Sequence, residues 1–121
     1  MYLPFISPYL STRHIKLVII LVGLSIILNG VVWWLTLTVF PVDSPAAILH
    51  YTIDVGVDFI GEGKQITSLP TMGLSIIVFN TIMGIALLRA DQRASWLLWS
   101  VMPPVQLALL LAFYLLREVN L

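Results

Sequence analysis

Three long runs without a charged residue constrain this chain more than any other feature. They cover residues 17–40, 65–88 and 94–116 and are 24, 24 and 23 residues long. A helix needs about 20 apolar residues to cross the hydrocarbon core of a bilayer, because each residue adds about 1.5 Å along its axis. The sequence therefore predicts an all-α membrane protein, a single domain over 1–121. Its three transmembrane helices are expected at about 15–40, 69–89 and 95–117, with one long extracytoplasmic loop over 41–68.

Composition supports the same class and excludes several others. Residues of the apolar set make up 60% of the chain and charged residues 10%, whereas a soluble domain averages about 45–50% and about 25%. So little charge does not suffice for a water-exposed surface, which excludes the soluble and disordered classes. The net charge is zero, which leaves no basic footprint for nucleic acid. Cysteine is absent, which excludes disulfides and thiolate metal sites.

The basic residues that flank the runs predict the orientation. Two lie in the N-terminal arm, two in the short turn between the second and third runs, one in the long loop and one at the C-terminus. Lysine and arginine are enriched on the cytoplasmic side of membranes. We therefore expect a multi-pass protein of the cell inner (plasma) membrane with a cytoplasmic N-terminus and an extracytoplasmic C-terminus. The first run is longer than the apolar core of a secretory signal, about 7–15 residues, and is expected to be retained. In chain order the basic residues are Arg13, Lys16, Lys64, Arg89, Arg93 and Arg117.

Local signals refine the helix ends. Pro41 is expected to end the first helix, Pro70 lies in the predicted first turn of the second, and Ser95 is a candidate N-cap for the third. Because tryptophan and tyrosine prefer the membrane–water interface, we interpret the aromatic residues near the helix ends as interfacial anchors. These are Trp33, Trp34, Trp96, Trp99 and Tyr114.

Each predicted helix carries one side-chain amide close to its middle: Asn29, Asn80 and Gln106. An unpaired amide in hydrocarbon is costly, so the three are predicted to form an intramembrane polar network. Two interpretations stay open: the amides hold a bundle or an oligomer together, or they line a polar path for a solute. No charged residue lies within a span, which argues against a proton relay. Small residues at helical spacing, among them Gly23 and Gly30, are expected to allow close approach of helices.

Two consecutive prolines interrupt the third predicted helix. Pro103 and Pro104 lack the N–H groups that would bond the carbonyls of Trp99 and Ser100. The sequence therefore predicts a helix kink at this point. It is interpreted either as a packing feature or as a hinge of the kind found in transporters.

The 41–68 loop contains a stretch with the period of a β-strand. Over residues 51–59 apolar residues alternate strictly with polar or small ones, and several of the apolar residues are β-branched. We predict a short strand here. It must pair with a neighbour, lie on the membrane surface or dock on another protein, because an isolated strand is unstable.

Four residues in this loop are spaced by four: His50, Asp54, Asp58 and Glu62. On one extended strand the first three would span about 26 Å, too far to bind a single ion. We therefore predict no metal site and no cofactor. We also predict no catalytic residue, because no nucleophile accompanies the histidine.

The same loop contains a set of residues that is shared with a known family. The set is Ile48-Leu49-His50-Tyr51, Gly56-Val57-Asp58, Gly61, Lys64 and Leu69-Pro70. With these residues the 45–80 segment resembles the loop between two membrane helices of the sporulation-delay immunity protein family, and the whole chain resembles uncharacterised small three-helix membrane proteins of candidate-phyla bacteria. Thr52 stands where those loops have asparagine, and no proline directly precedes Leu49. The resemblance implies a partner-binding loop whose matching positions are His50, Gly56, Asp58 and Lys64.

Together these features predict a non-enzymatic small integral membrane protein, an accessory or immunity-like module that binds a partner through its external loop. The expected partners are the lipid bilayer and either further copies of the chain or another membrane protein. No nucleic acid is expected. The alternative is a small oligomeric channel or transporter lined by Asn29, Asn80 and Gln106. A third hypothesis is a metal-assisted enzyme that uses His50 and Asp58.

Overall fold

Three helices dominate the structure. The computed structural model describes residues 10–39, 47–52, 56–61 and 63–120, with side chains over 10–39 and 65–118. Three helical segments in it are long and apolar enough to cross a membrane, which confirms the three helices predicted from the uncharged runs. In chain order the elements are α1 (Thr12–Thr38), β1 (Ala47–Thr52), β2 (Gly56–Gly61), a 3-10 turn (Gly63–Thr67), α2 (Ser68–Leu87), α3 (Gln92–Ser100) and α4 (Met102–Asn120).

The first and third spans begin earlier than the sequence predicts, because each has a cap that precedes its apolar run. Ser11 caps α1, and its Oγ accepts the N–H of His14 at 3.4 Å. Asp91 caps α3, and its carboxylate accepts the N–H groups of Arg93 and Ala94 at 3.0 and 3.3 Å. The prediction of Ser95 as the N-cap is therefore wrong. An ionised carboxylate at a helix start is a strong cap, and Ser95 is buried one turn inside the helix.

The third span is divided at Val101, two residues before the first proline of the pair. Val101 keeps near-helical dihedral angles, its N–H donates to Leu97 O at 3.2 Å, and its carbonyl accepts the N–H of Val105 at 3.1 Å. Pro103 and Pro104 are the second and third residues of α4. They fit there because the first N–H groups of a helix need no partner within it. The interruption thus lies two residues before the first of the two missing N–H groups.

Two apolar clusters fill the bundle, one towards each end. The first lies at the end where α1 begins and α2 ends. The second lies at the other end and joins α1 and α4 to the 3-10 turn through Leu35, Phe113 and Ile66. The members of the first cluster are Leu10, Ile15, Val18, Ile77, Leu88, Trp99 and Met102.

Trp99 differs from the other aromatic residues near the helix ends. Its side chain is 0% exposed and belongs to the first apolar cluster, whereas that of Trp34 is 63% exposed. The interpretation of Trp99 as an interfacial anchor is therefore wrong. It is the fourth residue after Ser95, which places both on the buried side of α3.

The segment between α1 and α2 contains an antiparallel pair of strands. The sequence predicts one strand over 51–59, whereas the structure has β1 and β2, with residues 53–55 between them outside the described residues. β1, rather than β2, makes the main contacts of this hairpin with α4 and the 3-10 turn. The hairpin therefore lies at the end of the bundle where α1 and α4 finish.

Candidate functional site

The middle of the bundle contains a pair of amides that hydrogen-bond to each other. Asn29 of α1 donates through Nδ2 to Gln106 Oε1 of α4 at 3.2 Å and to the carbonyl of Pro70 in α2 at 2.9 Å. Gln106 donates through Nε2 to the carbonyl of Gly73, also in α2, at 3.0 Å. The two side chains are 4% and 0% exposed. One hydrogen-bonded layer therefore joins all three spans between the two apolar clusters.

Gly73 makes this layer geometrically possible. A Cβ at this position would lie 2.6 Å from Gln106 Oε1, 2.7 Å from Asn29 Nδ2 and 2.8 Å from Leu109 Cδ1. Such distances are too short for any side chain, so the amides reach the carbonyls of α2 only because position 73 is a glycine. We name Asn29, Gln106 and Gly73, together with the carbonyl of Pro70, the amide layer.

Asn80 lies apart from the amide layer. Its Nδ2 donates to the carbonyl of Leu98 in α3 at 3.0 Å, and its side chain is 8% exposed. Leu98 lies three residues before the interruption at Val101. Asn80 therefore ties α2 to the segment next to the proline pair. The structure brings Asn29 and Gln106 together and gives Asn80 a separate partner.

Most polar side chains within the described bundle have a hydrogen-bond partner inside it. Hydroxyl groups of Ser25, Thr38, Thr71 and Ser75 bond the carbonyl four residues earlier, at 2.6 to 2.9 Å. This is the usual way for such groups to be satisfied in an apolar medium. A groove of 470 Å³ lies on the outer face of α2, and none of the three amides lines it. Within the described residues the amides thus join helices.

A second close approach joins α2 to α3. A Cβ on Gly84 would lie 2.5 Å from Cε2 and 2.8 Å from Cδ1 of Trp99. The buried indole Nε1 has no hydrogen-bond partner among the described residues, and the same is true of Thr36 Oγ1. The spacing of Asn80 and Gly84 indicates a packing face, but it does not identify the tryptophan that packs there.

The glycines of α1 make no such contact. A Cβ on Gly23 or Gly30 would meet nothing within 4 Å in the described structure. The expectation that these two glycines allow close approach of helices is therefore wrong for the helices that the structure describes. The helices that pack on α1 contact its other face, which carries Ser25, Asn29 and Val32.

The hairpin register brings His50 and Asp58 to the same irregularity. The pair of His50 with Phe59 lies between two register shifts, which leave Leu49 on β1 and Asp58 on β2 without an opposite residue. Such a bulge bends a strand and changes the direction of a side chain. The expectation of a 26 Å span applies to one extended strand. It does not apply here, because the chain reverses between the two residues.

The other two positions of the loop resemblance lie close to the hairpin. Gly56 is the first residue of β2 and pairs with Thr52, and Lys64 lies in the 3-10 turn that leads into α2. Gly56 and Lys64 belong to the part of the chain for which the structure describes the backbone alone. No group of three potential metal ligands occurs among the residues that were described in full.

The comparisons with known proteins identify no relative. No protein-family model matches the chain, and neither a curated protein nor a solved structure is significantly similar to it. The resemblance of the 45–80 segment to the immunity protein family stays a prediction.

Proposed function

We propose that this protein is a non-enzymatic integral membrane protein that binds a polypeptide partner through its β-hairpin, as an accessory or immunity-like module. In this proposal the protein resides in the cell inner membrane. Its N-terminus is cytoplasmic, and the hairpin and the C-terminus are extracytoplasmic. The partner is another membrane protein, a secreted peptide or a second copy of the chain.

The observation that carries the proposal is the outer edge of β2, which no other strand covers among the described residues. β1 pairs with β2 on one side, and its main helix contacts are with α4 and the 3-10 turn. β2 has β1 as its only neighbouring strand among the described residues. A free strand edge presents unpaired N–H and C=O groups, and many domains bind an extended peptide by adding a strand at such an edge.

The bulge at Asp58 supports the same surface. Strand bulges are frequent at sheet edges and next to functional sites, because they direct a side chain away from the regular pleat. His50 and Asp58, which the loop resemblance implicates, are both at this irregularity. Backbone pairing along β2 would supply affinity, and the residues around the bulge would supply selectivity.

The amide layer favours a supporting role for the helices over the transport alternative. Both hydrogens of the Asn29 amide have acceptors inside the bundle, and Gln106 is fully buried. A path for a polar solute needs polar groups that face a cavity. The amides are instead engaged with helix backbones, which supports a rigid base for the hairpin.

Site-specific photo-crosslinking in the native host tests this proposal. A photoreactive residue replaces Asp58, and the same residue at Phe79, on the exposed apolar face of α2, serves as the control. We expect a discrete cross-linked polypeptide from position 58 only, and we expect His50→Ala to abolish it while the protein stays in the washed membrane fraction. A product of twice the chain mass identifies the partner as a second copy.

Two results contradict the proposal. In the first, the photoreactive residue at position 58 cross-links to no polypeptide. In the second, it gives a cross-linked product that His50→Ala leaves unchanged. Reporter fusions test the orientation separately, with the N- and C-termini expected on opposite sides of the membrane.

A further inference from the structure

The charges of the chain are divided between the two ends of the bundle. The end where α1 begins and α2 turns into α3 carries four basic residues and one acidic residue. The remaining two basic and five acidic residues lie between α1 and α2 or after the last apolar run. The basic end, as we name the first group, consists of Arg13, Lys16, Arg89 and Arg93, with Asp91.

A ring contact holds the two halves of the basic end side by side. The rings of His14 in α1 and Trp96 in α3 are 5.7 Å apart between centroids and meet edge to face at 69°. His14 lies between Arg13 and Lys16 in the sequence, and Arg93 precedes Trp96 by three residues. The basic residues of the two helices therefore belong to one surface.

The positive charge of this surface is open to a ligand. Arg13, Lys16 and Arg93 are exposed, and none of them forms an ion pair among the described residues. The one carboxylate nearby, that of Asp91, accepts the N–H groups that begin α3. Its charge is thus directed to the helix start rather than to the neighbouring cations.

Directly beside these cations the helix surfaces are apolar. Leu17 and Ile20 on α1 and Leu97 on α3 are exposed, and Trp96 is half-buried between the two helices. A ligand that fits this surface has an anionic headgroup for the cations and acyl chains for the apolar side chains. Basic clusters next to membrane helices bind anionic lipid headgroups for this reason.

We propose that the basic end binds anionic phospholipids, with the headgroup phosphate on Arg13, Lys16 and Arg93 and the acyl chains along α1 and α3. This surface lies at the opposite end of the bundle from the hairpin. Its failure in a test would therefore leave the proposed partner-binding function unaffected.

Lipid binding to the purified full-length protein tests the proposal. The protein in a neutral detergent is titrated with phosphatidylglycerol or with phosphatidylcholine of the same acyl chains, and bound lipids are counted by native mass spectrometry. We expect the wild type to prefer phosphatidylglycerol by roughly tenfold or more, since each nearby basic residue contributes about fivefold. The triple variant Arg13→Gln, Lys16→Gln, Arg93→Gln, which keeps Arg89, is expected to lose most of this preference. Arg117→Gln, at the other end, is the matched control that keeps the preference.

Several outcomes overturn the proposal. These are equal binding of the two lipids by the wild type, an equal loss of preference in Arg117→Gln, and displacement of phosphatidylglycerol by inorganic phosphate, which would identify a site for a soluble anion. If the triple variant does not fold, as judged by circular dichroism, the wild type still gives a decision. A preference that does not weaken as ionic strength rises contradicts binding through these charges.

Discussion

Two pairs of glycines, one on α1 and one on α2, look alike in the sequence and differ in the structure. Any side chain on Gly73 or Gly84 of α2 would overlap with Gln106 and Asn29 in the first case and with Trp99 in the second. A Cβ on Gly23 or Gly30 of α1 would meet nothing within 4 Å in the described structure. α2 uses its glycines to admit side chains from the other helices, and α1 does not.

The difference follows from what faces each glycine rather than from the place of its helix, because α1 and α2 both contact the other spans. Gly73 and Gly84 face side chains of α1, α3 and α4, which approach the backbone of α2 at these two positions. Where such a side chain must reach the helix backbone, only glycine leaves enough room. The spacing of small residues alone does not identify these positions, because the incoming side chain decides them.

The largest effect is expected for Gly84→Ala. The new Cβ overlaps with the buried and rigid indole of Trp99, so the helices must move apart. We expect a loss of about 3 kcal/mol in the free energy of unfolding, at the upper end for overpacked sites, measured by titration with a denaturing detergent. A loss below about 0.5 kcal/mol would mean that α2 and α3 do not pack as described.

Gly73→Ala is expected to have the next largest effect. The added methyl group displaces Gln106 and Asn29, which are more flexible than an indole, and breaks their hydrogen bonds to α2. We expect a loss of about 2 kcal/mol by the same titration. In the background of Asn29→Leu and Gln106→Met the cost of Gly73→Ala should fall, and an unchanged cost would argue against the amide layer as its cause.

A double-mutant cycle measures the amide pair itself. Asn29→Leu and Gln106→Met each remove one partner of the hydrogen bond with little change in volume. We expect a coupling free energy of about 0.6–2 kcal/mol between them, the range for hydrogen bonds between membrane helices. Asn29→Leu and Asn80→Leu should be additive instead, because Asn80 bonds Leu98 and lies outside the layer. A coupling in the second cycle as large as in the first would contradict this separation.

The smallest effects are expected for Gly23→Ala and Gly30→Ala. Both add the same methyl group as the α2 variants, but no described side chain lies within 4 Å of it. We expect changes within about 0.5 kcal/mol in the free energy of unfolding of the monomer. A clear loss that depends on protein concentration would instead identify a contact between copies at this face of α1.

The sequence was sufficient for the three helices, because uncharged runs of this length leave few alternatives. The sequence predicts the helix ends and the contacts between helices less accurately. The sequence predicts a start of the third helix at Ser95, because residues 89–93 have the composition of a polar turn. The structure begins α3 after Asp91 instead. Two buried residues of similar chemistry, Asn29 and Asn80, have different partners because helix rotation and the facing residue decide the pairing. Neither can be read from the position of an amide along its own helix.

The hairpin illustrates a different limit. Strict alternation over 51–59 is the period of one strand, but it does not say whether the chain reverses within it. Gly56 lies where β2 begins, and glycine within an alternating stretch is compatible with either a strand or a turn. The reversal brings His50 and Asp58 to one irregularity, which distances along a single strand did not anticipate.

The amide layer also sets the depth of each helix relative to the others. If α1 slid by one turn, about 5.4 Å, its leucines, isoleucines and valines would meet surfaces as apolar as before, since lipid chains and aliphatic side chains are nearly equivalent surroundings. Asn29 and Gln106 would then lose each other and their carbonyl acceptors. The layer thus favours one axial register of the three helices, which apolar contacts alone would not distinguish from its neighbours.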